Sequence, residues 1–532
     1  MSDFDNPYVD PRNAHWHIVD ASTLARDLVL DADVVIVGTG AGGGIAAETL
    51  SDAGLSVALV EEGPLRTSRD FHMREAEAYP DLYQESAARK TRDKAINILQ
   101  GRCVGGGTTV NWTSSFRTPD ATLQHWARVH RLTRFSPNEL ASWFERVEAR
   151  LSIVPWQVPP NANNQALARG ADALKVKWGT IRRNVRGCLN LGYCGMGCPV
   201  NAKQSMLVTT VPGALERGAT LLTRTRAMRF ATRGDGVHAL ECIAMDARGV
   251  SPTSRRITVT ARAFVAAAGA IGSPALLLRS ALPDPYEIVG KRTFLHPTVV
   301  SAAIMPERID GFAGAPQSVY SDHFMNDPPV AGMTYKIEAP PIHPVLAAIT
   351  LPNHGAHHAQ WMRQLPHLHV LIALLRDGFH ADSPGGRVHL NDDGTPLLDY
   401  PLTPYIWDGA RRALTTMAEL QFAAGAKSVV PIHGDGAAFT RTDDAHRAIA
   451  DFDLSPLVTP VVSAHVMGGC PMGPDSRSAV VDETGRHHQL ANLYVLDGSL
   501  FPTSIGANPQ LSIYAIAAKL SSELAVLLRP KG

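Results

Sequence analysis

The stretch RGCLNLGYCGMGCPVNAK, residues 186–203, holds three of the chain's six cysteines, Cys188, Cys194 and Cys198. Thiolates this close can share a metal or oxidise to a disulfide, and any disulfide leaves one of the three over. Four glycines and a proline exclude a regular helix or strand throughout the stretch. Zinc wants a fourth ligand, and no nearby His supplies it. His367 and His369 form an H-x-H pair without a third ligand at metal-site spacing, so a satisfied or exposed pair is expected there.

A second constellation lies near the N-terminus, in DADVVIVGTGAGGGIAAETLSDAGLSVALVEEG. Val34 to Val37 read as a buried parallel strand, Ile45 to Leu50 as a helix and Val57 to Val60 as a second strand. Between the first strand and the helix, Gly38, Gly40 and Gly43 fit G-x-G-x-x-G. The first glycine makes the tight turn, the second lets backbone approach a pyrophosphate, and the third lets helix and strand pack closely. The helix then presents its positive end to the phosphates. Glu61, 23 residues after Gly38, stands where a carboxylate accepts from a ribose hydroxyl. The motif points to a dinucleotide and does not separate NAD from FAD.

The elements that carry these residues belong to a chain of 532 residues, enough for two or more cores. Fifty Lys plus Arg balance fifty Asp plus Glu, which argues against a nucleic-acid-binding surface spread over the whole molecule. MSDFDNPYVDPRNAHWHIVD has neither the basic nor the apolar region of a secretory leader, and the apolar run FVAAAGAIGSPALLL is broken by Gly and Pro. A cytoplasmic protein without an integral membrane segment is expected, with its thiols reduced.

Four more stretches follow in order: GRCVGGGTTVNWTSSFRTP (101–119), FVAAAGAIGSPALLL (264–278), SAHVMGGCPMG (463–473) and YVLDGSLFPTSIGANPQ (494–510). Together with the N-terminal motif they resemble the glucose–methanol–choline (GMC) oxidoreductases, a family of FAD enzymes. The resemblance runs from about residue 31 to the C-terminus, with a poorly matched middle between roughly 300 and 455. It implies an α/β protein: a Rossmann-like FAD-binding domain joined to a discontinuous α+β substrate-binding domain. The FAD domain would draw on residues 31–150, 205–299 and 456–532, with the cysteine loop and its connection at 151–204 and the substrate domain at 300–455.

Carried onto this chain, the FAD contacts implied are Gly38, Gly40, Gly43 and Glu61; Gly101, Arg102, Gly105, Gly106, Gly107, Thr108 and Asn111; and Ala227, Asp497 and Gly498. Family members with covalent FAD carry a His where Val110 stands here, so the FAD is expected to be non-covalent. The resemblance places a catalytic pair at His465 and Asn508. Such chemistry needs a base near working pH, for which imidazole is suited, and a partner that fixes the alcohol oxygen. His465 is the expected proton acceptor, Asn508 orients the hydroxyl, and His296 in FLHP reads as structural.

CPVNAKQSMLVTTVPGALERGA resembles long-chain fatty alcohol oxidases, and cholesterol oxidase shares the Asn before Pro. A bulky or long-chain apolar alcohol is therefore the expected substrate. The apolar stretches VLAAITL and HLHVLIALLRDGF read equally as channel lining or ordinary core. The spacing of Cys188, Cys194, Cys198 and Pro199 resembles the segment that holds a three-iron (3Fe-4S) cluster in FAD-dependent glucose dehydrogenases. This keeps open a sugar or polyol dehydrogenase that passes electrons to a protein acceptor. A flavin-bearing lyase or photoenzyme is a further alternative.

Overall fold

A computed structural model describes residues 6–325, 332–434 and 436–529. Two large sheets organise it. The first is built on the parallel strands announced by the N-terminal motif and carries antiparallel strands at one edge. Its strands run in the order His17–Asp20, Thr220–Thr223, Val57–Val60, Leu28–Val37, Pro252–Ala266, Gly236–Met245 and Thr225–Arg233. Leu493–Val495 pairs with the end of Pro252–Ala266, bringing the C-terminal part of the chain into the same sheet. Val34 lies opposite Val57 and Ala263, and Val34, Val35 and Ile36 are completely buried. That burial on both faces explains the unbroken apolar run. The strand begins earlier than its apolar run does, because Leu28 to Asp31 alternate in exposure and lack a continuous signal.

The helix Ala41–Asp52 follows Gly40 directly, and the closing helix Gln510–Leu528 packs against it. Gln510–Leu528 is long and apolar enough to cross a membrane, although the sequence shows no obvious span there, because Lys519 and Glu523 interrupt it. Here 67% of its most apolar window is buried inside the protein, and Lys519 pairs with Glu523 at 3.2 Å.

The second sheet runs Ile96–Ile98, Val461–Ser463, Thr298–Ile304, Leu368–Leu375, Tyr335–Glu338, Val319–Ser321 and Gly179–Thr180, with Ser428–Pro431 also on Thr298–Ile304. Because side chains alternate along a strand, its two faces do different work. Val299, Ala303, Leu371, Ala373 and Leu375 pack with Ala410, Ala413 and Met417 of the helix Pro404–Ala423. Val300, Ala302, Leu368, Val370 and Ile372 point the other way, into a cavity.

Candidate active site

The cavity has a volume of 590 Å³, within the range of small-molecule sites. Its walls come from both sheets, and the predicted glycines meet there. Gly38 has φ +101° and Gly106 φ +52°, conformations that side chains rarely adopt. A Cβ on Gly106 would lie 2.9 Å from Gly40 Cα, and one on Gly101 would lie 2.5 Å from the Gly106 carbonyl oxygen. The two glycine loops therefore touch, and any side chain would part them. At Gly107 the space is open, with no atom within 4 Å of a built Cβ, and it opens onto the cavity. This is a cradle of bare backbone beside the start of the helix Ala41–Asp52, suited to a ligand with a pyrophosphate.

Gly38, Gly40, Glu61, Gly101, Gly106 and Gly107 reach the cavity wall, as do Thr108, Asn111, Ala227, Asp497 and Gly498. Glu61 is buried and accepts from the Thr39 hydroxyl at 2.6 Å and the Gly63 N–H at 2.9 Å, and burial raises its carboxyl pKa. Asp497 accepts from Gly269 N–H at 2.8 Å and Ser273 Oγ at 2.6 Å, with burial again raising its pKa.

Three expected ligand contacts stand behind the wall instead. A Cβ on Gly43 would lie 1.9 Å from the Gly38 carbonyl oxygen, so this glycine serves the close helix–strand contact of the motif. Gly105 (φ +87°) turns the loop and gives its N–H to Thr39 Oγ1 at 2.9 Å. Arg102 points away from the cavity, toward the Gly249 carbonyl and Glu62.

The cysteines lie outside the cavity wall as well. Cys188, Cys194 and Cys198 are free, and among the described residues no three His, Cys, Asp or Glu side chains gather as a metal-binding set. The Asn190 N–H lies 3.4 Å from Cys188 Sγ, and Arg183 Nη2 lies 3.7 Å from Cys194 Sγ. The loop is tied to the flanking glycine loop by buried Lys203. Its Nζ donates to the carbonyls of Thr109 (2.6 Å), Asn111 (2.9 Å) and Cys194 (2.7 Å). Desolvation lowers its pKa to about 8. His367 and His369 do not act together either. His369 is buried with Nδ1 on Asn163 Oδ1 at 2.7 Å, and His367 Nδ1 faces the Glu307 carbonyl.

The structure brings His465 and Asn508 together on the cavity wall, with Asn508 Nδ2 3.4 Å from His465 Nε2. His465 sits on a short link pinned on both sides. Val462 pairs with Thr298 before it, and Met467 and Gly468 pair with Phe294 and Thr293 after it. Asn508 precedes the helix Gln510–Leu528, whose first residue Gln510 accepts from Asn111 Nδ2 at 2.7 Å. Desolvation, together with the Lys336 charge, lowers His465 to about 4 against the opposing pull of Glu338, so its imidazole is neutral near pH 7.

Three more residues belong to this site: His296, which reads as structural from sequence, and Lys336 and Glu338, for which sequence carries no signal. His296 Nδ1 lies 3.2 Å from His465 Nδ1. His296 has φ +47°, and its backbone N–H and that of Leu295 both donate to the buried Asp377 carboxylate. Lys336 and Glu338 sit on the edge of Asn508 from the strand Tyr335–Glu338, where their i, i+2 spacing puts both on one face. Lys and Glu two apart look like surface charges, and only the fold buries them.

Beyond the pair one wall of the cavity is largely apolar. Val300, Ala302, Val370 and Ile372 form its floor, in register across Thr298–Ile304 and Leu368–Leu375. Ile342, Leu346 and Leu351, on and beside the helix Pro344–Thr350, form its cover. Of the two stretches that sequence left open between channel and core, HLHVLIALLRDGF serves as both, one face each, while VLAAITL turns one side to the cavity and leaves Val345 and Ile349 exposed.

The comparisons with known proteins agree with this geometry. The GMC oxidoreductase family models match residues 79–298 and 382–517. A long-chain-alcohol oxidase of Arabidopsis thaliana is 31% identical, over 94% of this chain and 68% of its own. Pyridoxine 4-oxidase from Mesorbium loti has the same fold, with TM-score 0.68 and 19% identity over 92% of this chain and 98% of that one. So does a formate oxidase of Aspergillus oryzae studied for modification of its FAD, with TM-score 0.69 and 14% identity over 95% of this chain and 100% of that one. Sequence match, shared fold and a cavity built between glycine loops and a His–Asn pair converge, and the chain belongs to the GMC oxidoreductases, a family of flavoenzymes.

Proposed function

We propose that the protein binds FAD non-covalently and oxidises a long-chain or bulky apolar alcohol. The observation that carries the substrate class is the alternate-residue apolar face of the second sheet, which runs up to His465 and Asn508. Such a wall strips water from an alkyl chain and gives a sugar's hydroxyls nothing to bond. Gly38, Gly40 and the start of the helix Ala41–Asp52 would hold the pyrophosphate, Glu61 and Ala227 the adenosine end, and Gly106, Gly107, Thr108 and Asn111 the flavin end with Asp497 and Gly498. Val110, buried at the cavity wall, has no nucleophile with which to form a covalent link. When bound, FAD supplies the hydride acceptor for a CH–OH carbon. His465 and Asn508 hold the hydroxyl oxygen, fixing the carbon's distance and angle.

Anaerobic titration of the yellow holoenzyme with a panel of alcohols tests this reading. Bleaching of the flavin by dodecan-1-ol but not by glucose is expected. Bleaching by glucose alone would favour the sugar reading, and no bleaching by any alcohol would overturn alcohol oxidation.

A further inference from the structure

The neighbours of the catalytic pair decide where its hydrogens lie. The Gly506 backbone N–H donates to His296 Nε2 at 3.1 Å. A backbone N–H cannot reverse its role, so His296 Nε2 accepts and the neutral ring carries its hydrogen on Nδ1. That nitrogen faces His465 Nδ1 at 3.2 Å, so His465 Nδ1 accepts in turn and its hydrogen sits on Nε2. Burial supports the neutral form of both rings, holding His296 well below its usual pKa and His465 at about 4.

At the other end an ammonium can only donate and a carboxylate can only accept. Lys336 Nζ lies 3.3 Å from Asn508 Oδ1, and Glu338 Oε2 lies 3.3 Å from Asn508 Nδ2. The two charges are themselves 3.3 Å apart and buried, and Lys336 also lies over the Phe116 ring. Gln317 Nε2 donates to the same Glu338 oxygen at 2.6 Å. The Asn508 amide is thereby fixed with its NH2 group toward His465 Nε2, 3.4 Å away.

Two donors thus face one another. Along the row Gly506, His296, His465, Asn508 there are three contacts and four hydrogens to fill them. An oxygen seated on both His465 Nε2 and Asn508 Nδ2 turns three contacts into four and gives every hydrogen an acceptor. A carbonyl or alkoxide oxygen accepts two bonds without bringing a hydrogen of its own, whereas a hydroxyl brings one more that needs an acceptor.

We propose that His296 and the Lys336–Glu338 pair are positioning residues that preset His465 and Asn508 as two hydrogen-bond donors aimed at one oxygen, so that the site holds a carbonyl or alkoxide oxygen in preference to a hydroxyl. The identity of that oxygen rests on the proposed alcohol oxidation, while the placement of the hydrogens does not. The preference is a form of transition-state complementarity, because two donors aimed at one oxygen favour the form of it that carries more negative charge.

Two measurements on the oxidised holoenzyme test it. The first is nitrogen NMR of protein labelled with ¹⁵N-histidine, the two rings being assigned by loss of their signals in His465→Gln and His296→Gln. His465 is expected as the Nε2–H tautomer and His296 as the Nδ1–H tautomer; His465 found as Nδ1–H overturns the proposal. The second is calorimetric binding of decan-2-one against 2-methyldecan-2-ol, a tertiary alcohol with no hydride to lose. The ketone is expected to bind about tenfold more tightly, the scale of one misplaced polar contact, with the ratio falling toward one in Lys336→Met and, more mildly, in Glu338→Gln. Equal binding of the two ligands to the unaltered enzyme also overturns it. If neither ligand binds and no alcohol bleaches the flavin, the substrate reading fails, and the NMR result alone decides the proposal.

Discussion

At the scale of single residues the site depends on groups that motifs do not mark. From sequence, His465 was one of 21 histidines, raised above the others by the stretch around it. In the structure it is distinguished by what surrounds it: a second imidazole on Nδ1 and an amide at Nε2. His465→Ala is expected to slow flavin reduction by about 10²-fold, the usual scale for losing a positioned acid–base group. FAD content should stay normal, because His465 stands apart from the glycine cradle. His465→Gln separates its two roles, since the amide keeps a donor N–H but cannot take up a proton. Stopped-flow reduction by a long-chain alcohol reads both variants. Substantial retention of rate in the Gln variant fits a donor, and a loss equal to that of Ala fits the proton acceptor expected from sequence.

At the scale of elements, two contacts define the site: glycine loop against glycine loop, and sheet face against helix. Gly106→Ala forces a Cβ to within 2.9 Å of Gly40 in a backbone with φ +52°. Loss of bound FAD is expected, measured as flavin absorbance per chain. Gly218→Ala is the control. Its φ is +85° but nothing lies within 4 Å, so it should cost about 1 kcal/mol of backbone strain and leave FAD content unchanged. On the sheet, Val370→Phe adds bulk to the cavity floor. It should raise the KM for long alcohols several-fold while short ones are still oxidised, the scale of small steric changes in an apolar pocket. An unchanged chain-length profile would remove this face from the substrate path.

For the whole molecule, burial of neutral histidines sets a pH dependence. His369 is pushed down to about 3, and His465 and His487 to about 4, each mainly by desolvation. Unfolded, each takes a proton near pH 6.5. The unfolded chain therefore binds more protons between about 6.5 and 4, so the stability these groups give is present above 6.5 and lost as pH falls toward their folded values. The buried carboxyls of Glu61, Asp377 and Asp497 are raised and act in the opposite sense. A single-site comparison isolates the sign. Calorimetry should find the Tm difference between the unaltered protein and His369→Gln larger at pH 7 than at pH 5. A difference that grows on acidification would contradict the burial of a neutral ring.

The sequence by itself determined the parallel strands and the glycine loops, because each is encoded by neighbours a few residues apart, whereas the pairing of His465 with Asn508, 43 positions away, was implied only by the family resemblance. Apolar runs, turns that need glycine and a Pro after Asn are local conditions, and Val57–Val60 was legible to the residue. Only the tertiary structure decided that Arg102 turns away from the cavity, that no metal-binding set gathers among the described residues, and that one face of the second sheet lines a cavity. The same holds for the positioning groups. Gly506, His296, Lys336 and Glu338 are as much as 210 residues apart in the chain, and each looks ordinary in its own segment. Hydrogen-bond polarity is a property of contacts between segments, so it exists only once strand pairing has placed a fixed donor at one end of the row and a buried ion pair at the other.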